Sequence, residues 1–120
     1  MNPKFRSWLG LVALVAGVGA ASQWWSHRND GALGVEVAAL ARPGDIRMLA
    51  SETCSICAAA RVWFTENRIP FSECLIERDP ACKAAFDAAQ APGTPLLVVR
   101  GKNLLGFNPG LVREALRPAA

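Results

Sequence analysis

Thr53-Cys54-Ser55-Ile56-Cys57 decides the fold of this chain. The pair of cysteines is informative because of what flanks it. Upstream, Asp45-Ile46-Arg47-Met48-Leu49-Ala50 is apolar at alternate positions and then continuously, and Pro43-Gly44 bounds it, which reads as a buried strand. Downstream, Ala58 to Asn67 is alanine-rich, and Arg61, Thr65 and Arg68 recur at helical spacing on one polar face. The cysteines therefore fall where a strand ends and a helix begins. Such a place carries unpaired backbone N–H groups and the positive end of the helix dipole. Both favour a thiolate, the form of cysteine that attacks. With two residues between them, the second thiol lies about one turn from the first. It can close an intramolecular disulfide and displace a bound partner.

Working outward, the 120 residues allow one small domain. The net charge of +3 is scattered, with no basic run and no aromatic–basic interleaving, which excludes a nucleic-acid partner. Lys4 and Arg6 precede an apolar run from Trp8 to Ala21, and Trp24-Trp25 extend it to about 18 residues, the lower end of what a bilayer core needs. Paired tryptophans suit the lipid–water boundary. Residues 1–25 are thus expected to be a signal anchor, with the membrane met by residues 8–25. A cleaved signal is the alternative, with Gly19, Ala20, Ala21 and Ser22 as a weak processing site and a secreted product. Either way the domain is exported to the periplasmic or extracytoplasmic side. Residues 26–44 read as a polar linker with a short helix over 35–41, closed by Arg42-Pro43-Gly44-Asp45.

Residues 45–120 alternate. The strand at 46–50 leads to a helix over 55–66, a turn at 67–70 and a strand over 71–76. Arg78-Asp79-Pro80 opens a helix that runs to Ala89 or Gln90. A loop at 91–95 precedes a strand over 96–100. Gly101-Lys102 turns into a strand over 103–107, Asn108-Pro109-Gly110 breaks it, and a helix begins at Leu111. The order is β-α-β-α-β-β-α. It predicts a parallel pair at one side and an antiparallel hairpin at the other.

Four features give this segment its resemblance to glutaredoxins, within the thioredoxin-fold superfamily. They are Cys54-x-x-Cys57 after the first strand, Ile69-Pro70-Phe71 at the second, Gly93-Thr94-Pro95 before the third, and Gly101-Lys102 followed by Gly106-Phe107. The resemblance covers residues 45–116 and implies an α/β sandwich around a mixed four-stranded sheet, here preceded by the apolar N-terminal helix. It implies a cis Pro95 beside the cysteines. It also implies that the Thr94 backbone pairs with an extended glutathione or peptide, and that Gly106, Phe107 and Asn108 receive glutathione's glutamyl end. Departures stand beside it. Ser55-Ile56 replaces the usual Pro-Tyr, and Glu52 stands where many glutaredoxins carry Lys and would repel a glutathione carboxylate. Asn108 replaces an acidic residue. Arg61 occupies a position that is often basic in the family. It either meets a substrate carboxylate or lies on a solvated helix face.

The expected activity is thiol–disulfide exchange on protein or glutathione mixed disulfides. Cys54 would be the nucleophile and Cys57 the resolving thiol, with glutathione as a co-substrate and no bound cofactor or metal. The competing reading is a non-catalytic thioredoxin-fold module that binds a partner or a metal ion through its cysteines. Cys74 and Cys82 are spaced by eight, unlike the repeated tight pairs of zinc ribbons. An exported chain with an even cysteine count favours their pairing, two buried thiols are the equal alternative, and a relay of electrons to Cys54–Cys57 is a third.

Overall fold

The computed structural model describes residues 2–118; Met1, Ala119 and Ala120, the ends of the two segments expected at 1–25 and 45–120, lie outside the described residues. The element order is α1 (Pro3–Leu40), β1 (Ile46–Ala50), α2 (Ser55–Glu66), β2 (Ser72–Leu75), α3 (Pro80–Ala88), β3 (Leu96–Val99), β4 (Lys102–Leu105) and α4 (Pro109–Leu116). The chain divides into two compact units between Ala32 and Leu33.

The first unit is the larger part of α1. Pro3 suits a first helical position, and no other proline occurs before Pro43 to stop the helix. It is long and apolar enough to cross a membrane, and none of its most apolar stretch is buried. Trp8, Leu11, Leu14 and Val18 are exposed, as are Trp24 and Trp25. The Arg28 guanidinium stacks over the Trp24 ring at 4.5 Å.

The second unit holds the sheet, in the order β2-β1-β3-β4. β1 and β2 are parallel, with Ala50 opposite Leu75. β1 and β3 are antiparallel, as are β3 and β4. Alternation along the strands builds two cores. Ile46, Met48 and Ala50 of β1 and Leu97 and Val99 of β3 face the end of α1, α2 and α4. There they bury Val37, Phe64 and Val112. Leu49 and Leu96 point the other way and meet Cys82 of α3.

The residues expected to form a linker, 26–34, are helical. Glycine costs a helix about 1 kcal/mol relative to alanine, and at Gly34 the missing side chain is needed. A Cβ there would overlap the Asn67 side-chain amide at the end of α2. The close approach lets Val37 reach full burial and lets Glu36 pair with Arg113 at 3.4 Å and Arg117 at 2.7 Å. Arg100 fastens the same side: it donates to the carbonyls of Leu116 (2.5 Å) and Leu40 (3.2 Å) and to Asp45 (3.1 Å). That contact, with the Arg42 N–H, holds the Asp45 carboxyl below its ordinary pKa.

Candidate active site

Cys54 is the N-cap of α2. Its backbone is extended, and its Sγ accepts the N–H of Cys57 at 3.0 Å. The chain enters α2 from β1 through the turn at 51–53, where the Cys54 N–H is donated to the Ser51 carbonyl at 3.3 Å. The two cysteines are bridged, with Cα atoms 5.2 Å apart. They differ in access. Cys57 is fully buried in the larger core, whereas Cys54 is half-buried and the intervening Ser55 and Ile56 are exposed. An incoming sulfur therefore reaches Cys54 before Cys57. When Cys54 is reduced, the Cys57 N–H and the start of α2 both stabilise its thiolate.

The acidic residue next to this site has a cationic partner. Glu52 pairs with Arg78 through its carboxylate. Its backbone N–H is donated to Glu77 at 3.2 Å, and the Ser51 hydroxyl donates to the same carboxylate. Glu77 is held below the ordinary carboxyl pKa, first by the Ser51 hydroxyl, with further help from backbone N–H groups and Arg78, and against partial desolvation. Nothing in the sequence marks Ser51, Glu77 or Arg78 as a site residue. Ser51 and Glu77 are 26 positions apart, as are Glu52 and Arg78, and only the parallel register of β1 and β2 brings each pair together.

Thr94-Pro95 is cis, and Pro95 is fully buried. The Pro95 carbonyl accepts the N–H of Gly106 at 2.9 Å, so the loop before β3 and the loop after β4 are joined. Gly106 has φ +76, a conformation that favours glycine. Phe107 turns inward, its ring centroid 5.6 Å from those of both Trp63 and Phe64. Asn108 caps α4, accepting the N–H groups of Gly110 (3.0 Å) and Leu111 (3.3 Å). Gly106, Phe107 and Asn108 are thus engaged within the chain. Arg61 is engaged too: its guanidinium grips Glu73 of β2 at two points, which raises its pKa further. Cys74 and Cys82 form a second bridge, with Cα atoms 6.0 Å apart. Among the described residues no cluster of three or more His, Cys, Asp or Glu side chains could hold a metal ion.

The fold is similar to that of several solved structures. A mutant form of a thioredoxin-like protein matches with a TM-score of 0.55 at 20% identity, over 61% of this chain and 95% of its own. Glutaredoxin from Methanosarcina mazei Go1 matches with a TM-score of 0.52 at 20% identity, over 61% of this chain and 78% of its own. Glutaredoxin from Archaeoglobus fulgidus gives 0.50 at 19% identity, over 62% and 87%. No protein-family model and no curated protein sequence matches the chain. The structural likeness establishes a thioredoxin fold for the sheet and its helices.

Proposed function

We propose that the chain is a thiol–disulfide oxidoreductase that works through Cys54 and Cys57. The observation that carries this reading is the contrast within the pair: an accessible Cys54 at a helix start, and a buried Cys57 whose N–H already points at its sulfur. In the reducing direction, the Cys54 thiolate attacks one sulfur of a substrate disulfide. That S–S bond breaks, a Cys54–substrate disulfide forms, and the second substrate sulfur leaves as a thiolate and takes up a proton. Cys57 then loses its proton and attacks Cys54 Sγ. The intramolecular bridge closes and the remaining substrate thiol is released. The substrate gains two electrons and the pair loses them; an external thiol such as glutathione, or a protein dithiol, restores it. Run backwards, the same steps oxidise a substrate dithiol.

Protein disulfides and glutathione mixed disulfides are the substrates this reading favours, with glutathione as a co-substrate rather than a bound cofactor. Thr94 supports it. Among the described residues, neither its backbone N–H nor its carbonyl has a backbone hydrogen bond, so both are free to pair with an extended chain. The N-terminal helix supports placement in a membrane through residues 8–25, and Lys4 and Arg6 ahead of the apolar run favour export of everything after Trp25. The test is thiol titration of the full chain in detergent, with and without a chelator. Disulfide exchange gives a reversible two-thiol change at Cys54 and Cys57 that the chelator does not alter. Thiols masked until the chelator is added would overturn the reading in favour of a metal site.

A further inference from the structure

We infer that the Cys74–Cys82 bridge is a second, reversible redox centre whose state sets the reactivity of Cys54; the inference rests on the reading of Cys54 as the attacking thiol. The bridge closes a short loop over residues 75–81, and that loop carries groups that reach across to the end of β1 and to the turn before α2. The Ile76 N–H is donated to the Ala50 carbonyl at 3.0 Å. Glu77 accepts from the Ser51 hydroxyl and the Glu52 N–H, and Arg78 pairs with the Glu52 carboxylate. The Ser51 carbonyl in turn holds the Cys54 N–H at 3.3 Å. One covalent bond thus lies at the base of a clamp that ends on the nucleophile's own backbone.

Three features make this bridge reducible. Cys74 lies on the edge strand β2 and is only half-buried, whereas Cys82 is fully buried, so an external thiolate meets Cys74. The Arg47 guanidinium is 3.6 Å from Cys74 Sγ and stabilises the thiolate that reduction leaves there. The Asp79 carboxylate, which caps α3 beside Cys82, offsets the helix dipole at the buried sulfur, so Cys82 is held as the protonated thiol once it has left. A short loop also gains less chain entropy from closure than a long one. Opening takes two equivalents of an external thiol such as glutathione. The first attacks Cys74, breaking the Cys74–Cys82 bond, and Cys82 leaves and is protonated. The second attacks the sulfur of the bound thiol, Cys74 leaves, and the two external thiols depart as a disulfide. With the bridge open, the loop over 75–81 loses its tether. The turn at 51–53 then loosens, and Cys54 is held less firmly against the start of α2, so its thiolate is less favoured.

The test uses the full-length chain in detergent micelles. In the first arm, the protein is equilibrated in glutathione buffers of graded ratio, quenched with acid, and differentially alkylated. Mass spectrometry then reads Cys74 and Cys82. The expected result is opening at a measurable ratio while circular dichroism stays native. A bridge that remains closed until denaturant is added overturns the inference. In the second arm, a Cys57→Ser background leaves Cys54 free, and its alkylation rate is followed at neutral pH. Cys74→Ala/Cys82→Ala is expected to slow it about threefold or more. Ser51→Ala, which removes the hydroxyl of the clamp and leaves every charge in place, should slow it in the same direction. The combined variant should be no slower than the bridge variant alone. Unchanged rates in folded variants, or additive ones, overturn the inference, and Ser51→Ala decides the matter if the bridge variant does not fold. Alkylation reads Cys54 directly. A failure of disulfide exchange in the parent protein would instead count against the proposed function.

Discussion

Arg61 meets Glu73 with Nε 2.7 Å from Oε2 and Nη2 against Oε1, which ties α2 to β2 across the parallel side of the sheet. The pair is partly open to solvent, 43% for Arg61 and 19% for Glu73, so water screens it. A double-mutant cycle of Arg61→Ala and Glu73→Ala on unfolding free energy should give a coupling of about 0.5–1 kcal/mol. Because the guanidinium is occupied, the two single variants should change disulfide exchange alike. A loss of activity on anionic substrates in Arg61→Ala alone would instead give Arg61 a substrate contact.

Cys54→Ser should abolish disulfide exchange, because it removes the accessible sulfur. Cys57→Ser should accumulate mixed disulfides with protein substrates, since attack survives and resolution does not. Non-reducing electrophoresis with mass spectrometry checks both. Equal inertness of the two variants, with nothing trapped, would show the assigned roles to be wrong.

Glu77 adds a pH-dependent contribution to stability in the acid range. A carboxyl whose folded pKa lies below its unfolded value, about 4.3 for Glu, adds stability above that value and loses it as pH falls through the folded one. At neutral pH, Glu77→Gln should therefore unfold at a lower temperature than the parent. The gap should narrow as the pH drops below about 4.3. Melting curves across that range measure it, and a gap constant with pH would remove the ionised carboxylate from the account.

Phe107 belongs to the aromatic cluster formed with Trp63, Phe64 and Phe71. Phe107→Ala should cost about 2–4 kcal/mol in urea unfolding, below the cost for a fully buried ring because Phe107 is only half-buried. A change in glutathione affinity without loss of stability would show that the ring acts on ligand rather than on the core.

A reporter fused after Ala120 should be active only outside the cytoplasm, since Lys4 and Arg6 precede the apolar run. Cytoplasmic activity would overturn the proposed orientation.

Local chemistry made some elements legible in the sequence and left others unreadable. β1 and α2 have the bounds that their composition predicts, because Pro43-Gly44 and the alanine-rich run mark them without help from the rest of the fold. The hairpin is displaced. A turn was expected at Gly101-Lys102, but Arg100 and Gly101 form it, with φ +47 and +80, and β4 starts at Lys102. A two-residue hairpin turn of type I′ has positive φ at both central residues, and nothing in an arginine announces that it will adopt one. Asn108-Pro109-Gly110 reads as a break, yet the same residues are the cap and first turn of α4. Residues 26–34 read as a linker from their polar, glycine-containing composition, and the one contact that asks for a glycine there, Gly34 against Asn67, joins residues distant in sequence. At the site, the cysteines were legible from spacing alone. The Ser51–Glu77 clamp was not, because a polar pair 26 residues apart becomes visible only once strand register is fixed.

The two faces of the sheet are unequally filled, and this grades the cooperativity of the molecule. On the α3 side, only Leu49, Cys82 and Leu96 are fully sequestered among the described residues, whereas the opposite side is built on Phe64, Ile46, Met48 and their neighbours. Apolar burial sets how much free energy a segment must spend to open on its own. The α3 layer is therefore the first to breathe, and its amide protons should exchange with solvent ahead of those of β1 and β3.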